Sequence, residues 1–285
     1  MHLETVRLGG VPEYFNYPIH YALERKWFEK EGIALSWVEV PEGTGEMVRL
    51  LNEGELDLGI VLTEGIVQSI AKGNSARIIK TYVQSSLIWG VHVHHTSEFH
   101  SLDEIKKAQY LISRYGSGSH LMSSLFVSDQ GWDIKNQRFQ VINNLEGAIK
   151  QLSENSRSVF FWEKYTTKPL VDSGELKRIG QYPTPWPCFV IAASVSFSKQ
   201  SNILGKCIKV INKAVKAVKE DESTTVNIAS KYNLDLEDVK ELSKATSWDS
   251  TKEAPHEAID LVSRALVNSG ILTSPVISGE ACLFK

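Results

Sequence analysis

A loop of glycines and serines is the strongest local signal in the sequence. It reads ISRYGSGSHLM over residues 112–122 and lies between a predicted strand and a predicted helix. Gly116 and Gly118 allow a tight turn, and the hydroxyls of Ser117 and Ser119 lie beside the free N–H groups of the helix start. This arrangement favours contact with an oxyanion or with the polar edge of a small ligand. The alternative is a plain strand-to-helix turn with a serine cap.

A second candidate follows another predicted strand, at FFWEKY over residues 160–165. In open α/β sheets the carboxyl ends of the strands face the ligand crevice. At this end Trp162 is placed to stack on a flat ligand, and Glu163 is placed to accept N–H bonds from it. The alternative is a core tryptophan beside a solvated glutamate.

Other predicted strand ends carry polar and aromatic side chains of the same kind. They are Glu13, Tyr14 and Phe15 after the first strand, Thr44 and Gly45 at one helix start, and Thr63 and Glu64 at another. Aromatic side chains in these places predict a slot for a flat ligand. Its candidate residues are Tyr14, Phe15, Trp89, Trp162 and Trp186.

Metal binding and thiol chemistry have weaker support in the sequence. His92 and His94 share one face of a predicted strand and lie next to His95, but no carboxylate or cysteine at a useful spacing joins them. Cys188 follows a proline and has no visible base partner. The sequence contains no G-x-S-x-G, H-E-x-x-H, Walker A or dinucleotide-binding motif. We therefore expect no metal, no cofactor and no catalytic residue.

Alternating strands and helices must position these candidates. Short apolar runs alternate with amphipathic segments, a pattern typical of α/β proteins. Strands are predicted over residues 6–10, 34–40, 58–62, 76–83, 87–93, 110–113, 159–162, 176–179 and 189–193. The C-terminal third is predicted to be helical, because its apolar residues recur every three or four positions.

Two chain crossovers, near residues 91–96 and 182–188, predict two lobes joined by a hinge. Lobe I is then discontinuous and comprises residues 1–92 plus 188–285, while lobe II comprises residues 93–187. Each lobe is expected to hold a mixed, mainly parallel sheet flanked by helices.

Composition excludes several classes of protein. The 285 residues carry a formal net charge of −3, which argues against a nucleic-acid-binding surface. No apolar run approaches the roughly 20 residues that span a bilayer. The three cysteines are far apart and favour a reducing compartment over a disulfide framework. The N-terminus lacks the pattern of a signal peptide, so we expect a cytoplasmic monomer, or a periplasmic one if a signal was removed.

Longer motifs give the sequence a family resemblance. VRLGGVP, WFEKEGI, PEGTGEMVRLLNEGELDLGIVLTEG and SLDEIKKAQYLISRYGSGSH occur in an order that resembles the sulfonate-, nitrate- and thiamine-precursor-binding (SsuA/NMT-like) solute-binding family. ISRYGSGSHLM with FFWEKYTTKPLVDSGELKRIGQYPTPWPCF is similar to a stand-alone branch of that family found in yeasts and bacteria. The resemblance is close over about the first 200 residues and looser in the C-terminal helices.

This resemblance implies the type II periplasmic-binding-protein fold, with ligand held between two lobes. By resemblance the ligand contacts are Val11, Glu13 and Tyr14; Gly43 and Thr44; Thr63 and Glu64; Gly116, Ser117, Gly118, Ser119 and His120; and Trp162 and Glu163. Two departures matter. Lys164 replaces the proline that many family members carry after the W-E pair, and the chain lacks the cysteine-rich motif of the fungal pyrimidine synthases.

Three functions are compatible with these observations. The first is a solute-binding protein that closes an interlobe cleft on an organic ligand. Because aromatic residues are mixed with Glu13, Glu64, Glu163 and Arg114, a small heteroaromatic with N–H donors suits this cleft better than a bare anion. The second is an enzyme of thiamine-pyrimidine metabolism, for which His120 is the placed histidine. The third is a cytosolic ligand sensor, and the expected partner is a membrane permease or a protein that reads the closed state.

Overall fold

Two compact units make up the described part of the chain. The structure is a computed structural model, and it describes residues 3–251, 255–273 and 279–283. Unit 1 lies within Met1–Ser85, Trp186–Ser263 and Ile277–Lys285, and unit 2 lies within Ser86–Pro185 and Arg264–Val276. No helix in the described ranges is both long and apolar enough to cross a bilayer.

Strands and helices alternate through most of the chain. The strands are β1 Glu4–Gly10, β2 Ile33–Glu39, β3 Leu58–Leu62, β4 Arg77–Val83, β5 Ile88–His94, β6 Gln109–Ile112, β7 Arg138–Val141, β8 Ser158–Glu163, β9 Leu176–Pro183 and β10 Phe189–Ala193. The helices are α1 Tyr17–Glu24, α2 Trp27–Lys30, α3 Thr44–Glu53, α4 Thr63–Ala71, α5 Gly118–Asp129, α6 Leu145–Glu154, α7 Lys168–Asp172, α8 Val195–Ser198, α9 Ser201–Glu220, α10 Thr224–Tyr232, α11 Leu236–Ala245, α12 His256–Asn268 and α13 Gly279–Cys282. Short 3-10 helices occupy Tyr14–Asn16, Leu102–Lys107 and Ile134–Asn136.

The sheet of unit 1 has the strand order β2-β1-β3-β10-β4. Strand β1 runs parallel to β2 and β3, and the register pairs Leu8 with Leu58 and Gly9 with Gly59. Strand β10 is antiparallel to both β3 and β4. Because β1 and β3 are parallel neighbours, the residues that follow them lie at the same edge of the sheet.

The sheet of unit 2 has the order β7-β6-β8-β5-β9. Strand β6 is parallel to β7 and β8, and β5 is antiparallel to β8 and β9. Helices α6 and α7 cover an apolar cluster on this sheet, whose buried members are Leu111, Ile142, Ala148, Leu152, Phe160 and Leu176. The predicted two-lobed α/β fold with mixed sheets is therefore confirmed.

One strand of the fold was absent from the sequence prediction. Strand β7 was not predicted, because RFQV is a short edge strand with mixed polarity and no fully buried residue. Along the chain, the change between units falls at Ser85–Ser86 and Pro185–Trp186, and Arg264–Val276 also belong to unit 2. The lobe boundaries given from the sequence stay a prediction. Strand β5 lies wholly in the second sheet, since it pairs along its length with β9.

Candidate ligand-binding sites in the two units

Glu64 is a buried acidic residue at the strand ends of unit 1. It lies in the first turn of α4, directly after β3, and its side chain is only 4% exposed. Its Oε2 accepts a hydrogen bond from Trp186 Nε1 at 2.9 Å. Its Oε1 is buried and has no hydrogen-bond partner among the described residues. Burial raises the pKa of this carboxyl group, and hydrogen bonds from its own backbone N–H and from Trp186 oppose that rise.

The segment that carries Trp186 is fastened to the start of α4. Thr63 donates its hydroxyl hydrogen to Pro187 O at 2.5 Å, and its backbone N–H bonds to Cys188 O at 3.0 Å. These two bonds bring Trp186 beside Glu64 although the two residues are distant in sequence. The Thr63 hydroxyl thus has a partner within the fold.

Thr44 supports the same strand end from the neighbouring helix. Its Oγ1 accepts a hydrogen bond from Leu62 N at 3.0 Å. Its methyl group lies where a side chain on Gly65 would be, 2.4 Å from an ideal Cβ. Gly43, just before α3, has a φ of +82°, a conformation that favours glycine. Gly43 and Thr44 therefore lie at the strand-end edge of the sheet. The Thr44 hydroxyl is hydrogen-bonded to the backbone there.

The turn after β1 is held by residues from far along the sequence. Phe15 O accepts hydrogen bonds from Tyr82 Oη at 3.0 Å and from Trp248 Nε1 at 2.7 Å. The Tyr14 hydroxyl lies 3.1 Å from Thr246 Oγ1. Sequence reasoning found Tyr14 but missed its supports, because no local pattern connects them.

Residues 246–251 form an edge segment that runs along β4. Gln84 N donates to Ser247 O at 2.7 Å, and Asp249 N donates to Tyr82 O at 2.8 Å. Lys80, only 1% exposed, donates its ammonium hydrogens to Asp249 O at 2.8 Å and to Asn212 Oδ1 at 2.9 Å. Burial lowers the Lys80 pKa, while Asp249 opposes that change. The edge segment is thereby fixed where it supports the Tyr14 turn.

Asn16 is a second polar residue in this turn, and the sequence analysis did not select it. It is fully buried, and its Nδ2 donates to Val11 O at 2.7 Å. Its Oδ1 is buried without a hydrogen-bond partner in the described residues. Gly10 leaves the space for this amide, since an ideal Cβ there would lie 2.8 Å from Nδ2. The signal that would have found it is its position just beyond a strand end.

In unit 2 the serines of the loop bond mainly to one another. Ser119 Oγ accepts from Ser113 N at 2.9 Å and lies 3.0 Å from Ser117 Oγ. Ser117 caps α5, because its Oγ accepts the His120 N–H at 3.3 Å. All of these serines are buried. The predicted serine cap is present, and it fixes the start of α5 beside Trp89.

His120 is held as a neutral imidazole with one defined tautomer. Its Nδ1 accepts a hydrogen bond from the Gly116 N–H at 3.0 Å. The single N–H of the neutral ring is therefore on Nε2. Burial lowers the His120 pKa. The ring lies edge-on between Tyr115, at 5.3 Å, and Phe139, at 4.9 Å. Gly116 reaches this geometry with a φ of +78°.

The solvent-facing side of the loop is formed by Arg114 and Tyr115. Both side chains are exposed, and Tyr115 is 66% exposed. Tyr115 was not among the predicted contacts, although an exposed aromatic beside a candidate site is suited to ligand stacking.

Trp89 and Gly118 lie in close contact within unit 2. An ideal Cβ on Gly118 would lie 2.7 Å from Trp89 Cη2, so only glycine fits there without movement. Trp89 is 6% exposed, and its Nε1 is buried with no partner among the described residues. Strand pairing places Trp89 opposite Glu163.

Trp162 and Glu163 both make contacts within unit 2. Trp162 stacks on Phe160 at 5.0 Å and packs against the apolar cluster of unit 2. Glu163 Oε2 accepts hydrogen bonds from Tyr165 N at 2.9 Å and Thr166 N at 2.7 Å. Burial raises the Glu163 pKa, and these bonds oppose the rise. Both side chains are partly buried, and their contact with a ligand stays a prediction.

The histidines in and next to β5 make hydrogen bonds and ring contacts within the fold. His92 is fully buried, and its Nε2 lies 2.8 Å from Thr167 Oγ1. His94 is paired with Thr96 and stacks with His95. Across the described residues, no group of three or more histidine, cysteine or acidic side chains is arranged to hold a metal ion.

Within each unit, the predicted site residues gather at strand ends. Those in unit 1 are Val11, Glu13, Tyr14, Gly43, Thr44, Thr63, Glu64 and Trp186. Those in unit 2 are Trp89, Arg114, Gly116, Ser117, Gly118, Ser119, His120, Trp162 and Glu163. Among these predicted residues, Glu64 and Trp89 each have a buried polar side-chain atom without a partner among the described residues. Other such atoms lie on residues that were not predicted: Asn16, Trp37, Gln68, His92, Ser124, Gln137, Ser158 and Tyr232.

The fold that these units define is that of the periplasmic binding proteins. Two family descriptions match the chain, Ca3427-like PBP over residues 89–182 and the NMT1-like family over residues 2–109. The resemblance expected from the sequence is thus confirmed. No curated protein matches the chain.

Solved structures agree with these matches. The Candida albicans CA3427 gene product, described as defining a new family with the generic periplasmic-binding-protein fold, is 28% identical, with a TM-score of 0.83 over 96% of this chain and 92% of that one. SsuA from Xanthomonas axonopodis pv. citri, an alkanesulfonate-binding protein bound to MOPS, is 13% identical, with a TM-score of 0.79 over 99% and 98%. The aliphatic sulphonate-binding SsuA from Escherichia coli is 14% identical, with a TM-score of 0.75 over 99% and 92%.

Proposed function

We propose that this chain is a solute-binding protein that takes up a small organic ligand and releases it unchanged. The periplasmic-binding-protein fold supports this proposal, as does the similarity to proteins named for the sulfonates they bind. On this proposal unit 1 binds the ligand around Glu64 and the Tyr14 turn, and unit 2 binds it around Trp89 and the serine loop.

One observation carries the proposal. Each unit has a buried polar side-chain atom without a partner at its candidate site, Glu64 Oε1 in unit 1 and Trp89 Nε1 in unit 2. Leaving such an atom unpaired costs about 1–3 kcal/mol, and more for a charged group. A ligand that bonds to these atoms recovers that cost, so their presence at the strand ends favours a binding role.

The ligand is proposed to be an organic molecule with a flat or heteroaromatic part. Trp89, Trp186 and Tyr14 supply aromatic surface at the candidate sites. The start of α5, a helix of 12 residues, favours an oxyanion or a polar edge on the ligand. These features support the ligand class that the residue types predict.

Binding without turnover is preferred to catalysis because of the state of His120. Its Nδ1 is occupied by Gly116, and burial lowers its pKa, so it is poorly placed to accept a proton through that atom. We expect the purified protein to return any bound pyrimidine chemically intact. A permease, or a protein that reads the ligand-bound state, stays the predicted partner, and a pull-down with and without ligand tests it.

Mass spectrometry of small molecules released from the purified protein tests the proposed function. The expected result is a small organic molecule in near-stoichiometric amount, recovered unchanged after prolonged incubation with fresh protein. A molecule that is converted during incubation would overturn binding without turnover. Closure of the protein on its ligand remains a prediction, which small-angle X-ray scattering tests as a fall in the radius of gyration.

A further inference from the structure

Helix α9 carries a row of lysines on its outer face. This lysine row consists of Lys206, Lys209, Lys213 and Lys216. The four residues recur every three or four positions, so they share one side of the helix and span about 15 Å along it. Lys206 is partly exposed and the other three are exposed. The opposite face of α9 is buried in unit 1, so the row is held at the surface by a fixed helix.

The charge of this face is opposite in sign to that of the whole protein. The chain has 31 lysines and arginines against 34 acidic residues, a net charge of −3. Within α9, by contrast, there are five lysines, no arginine and one acidic residue, Glu220, at the last position. Lysines spaced by three or four positions repel one another along a helix. An oppositely charged partner relieves that repulsion, so the row is a surface suited to an anion.

A carboxylate of the chain itself already contacts the lysine row. Glu31 follows α2, and its Oε1 accepts a hydrogen bond from Lys209 Nζ at 2.7 Å. This bond lowers the pKa of Glu31, and the charges of Lys206 and Lys213 lower it further. Glu31 neutralises one charge of the four, and Lys216 has no ion pair among the described residues. The row therefore keeps cationic capacity for carboxylates from outside the chain.

We propose that the lysine row is a docking surface for an acidic helix of a partner protein. A helix whose glutamates or aspartates recur every three or four residues has the same interval as the row, so its carboxylates can face the ammonium groups along about 15 Å. Complementary charge of this kind governs the rate of encounter and the orientation of the partner. The proposal does not depend on the proposed solute-binding function.

Two other polyanions fit the row less well. Nucleic-acid surfaces commonly use arginine and exposed aromatic rings, whereas α9 has no arginine. The exposed large apolar residues described in unit 1 are all aliphatic, and they are Val195, Val226, Leu234 and Leu236. A bilayer is bound firmly when apolar side chains beside the lysines enter the headgroup layer. Trp27 adjoins the row, but Lys213 Nζ lies over its ring, 4.0 Å from the centre.

Fluorescence anisotropy with a labelled acidic peptide tests the proposal. The probe is an alanine-based helical peptide with glutamates at positions i, i+3, i+7 and i+10, and the control peptide has the same composition with its glutamates distributed around the helix. The row variant carries Lys206→Gln, Lys213→Gln and Lys216→Gln. The control variant loses the same charge at three exposed lysines of unit 2, Lys106, Lys107 and Lys135.

We expect wild type and the control variant to bind the patterned peptide at low salt, and to bind the control peptide more weakly. Affinity should fall as salt is added, because exposed charges are screened. The row variant should bind the patterned peptide roughly 10-fold more weakly, since three exposed ion pairs are lost. Thermal unfolding establishes that each variant is folded. If the row variant does not fold, discrimination between the two peptides by wild type decides the question.

Several outcomes would overturn the proposal. Equal binding by the row variant and the control variant would exclude the row as the surface, and equal binding of the two peptides would exclude a helix in register. The same proteins are tested with vesicles of phosphatidylserine and phosphatidylcholine and with duplex DNA. If either of these binds through the row while the patterned peptide does not bind, the partner is a different polyanion. Absence of all binding at low salt would overturn the docking surface itself.

Discussion

Trp186 Nε1 donates a hydrogen bond to Glu64 Oε2 over 2.9 Å, and both side chains are buried. The bond satisfies half of the carboxylate and leaves the other oxygen at the candidate ligand site. It also connects the chain segment after the second crossover to the turn after β3. The pair therefore stabilises the fold of unit 1, and we propose that it also contacts the ligand.

A Trp186→Phe substitution removes the donor and leaves both oxygens of Glu64 without it. We expect a loss of roughly 1–3 kcal/mol in the free energy of unfolding, measured by urea denaturation. The double variant Trp186→Phe with Glu64→Leu should recover much of that loss, because neither polar partner is left buried. Purely additive losses would contradict a direct interaction between the two side chains.

Gly118→Ala tests the close approach to Trp89. The added methyl group would lie 2.7 Å from Trp89 Cη2, so the ring must move. We expect a loss of about 1–3 kcal/mol in stability, with weaker ligand binding. Gly205→Ala is the matched control, since nothing lies within 4 Å of its ideal Cβ and it is within α9. That control should raise stability by roughly 0.5–1 kcal/mol, and equal effects of the two changes would contradict the account.

The two donors on Phe15 O predict a graded response. Trp248→Phe leaves Tyr82 as a donor, and Tyr82→Phe leaves Trp248, so each should cost about 1 kcal/mol. The double variant leaves Phe15 O without either bond and should cost more than the sum of the two single changes. Ligand affinity should fall in parallel, because the Tyr14 turn is released. Unchanged affinity in a folded double variant would contradict the supporting role of the edge segment 246–251.

His92 predicts destabilisation in acid. Burial lowers its pKa from 6.5 to about 4, so between these values the unfolded chain binds more protons than the folded chain. The free energy of unfolding is therefore unaffected by His92 protonation above pH 6.5 and decreases as the pH falls below it. The decrease reaches about 3 kcal/mol near pH 4. Urea denaturation across this range measures the slope. His92→Gln should flatten it and the exposed His100→Gln should not; the reverse pattern would contradict the assignment.

The sequence was sufficient to predict the fold, while the ligand contacts it indicates stay predictions. Buried runs such as LGIVL in β3 and the serine cap of α5 are local patterns, so they were predicted correctly. Long-range contacts were not predictable from such patterns. Trp248 and Tyr82 meet on Phe15 only because β4, the edge segment and the turn after β1 come together in the folded chain.

Trp162 marks the other limit of sequence reasoning. A tryptophan and a glutamate at a strand end predict ligand contact, and this contact stays a prediction. The packing of Trp162 against the apolar cluster of unit 2 could not be chosen over ligand contact from the sequence alone. Asn16 was missed for a different reason. Its position just beyond a strand end is one that ordinary turn residues share, and its unpaired, buried oxygen is evident only in the folded chain.

The central claim is that a small solute binds through the free oxygen of Glu64. A thermal-shift screen of amidines, pyrimidines, sulfonates and carboxylates, run side by side on wild type and Glu64→Gln, tests it most directly. The account predicts that one of these classes raises the Tm of the wild type and has little effect on the variant. Equal shifts in both proteins, or no shift with any class, would contradict it.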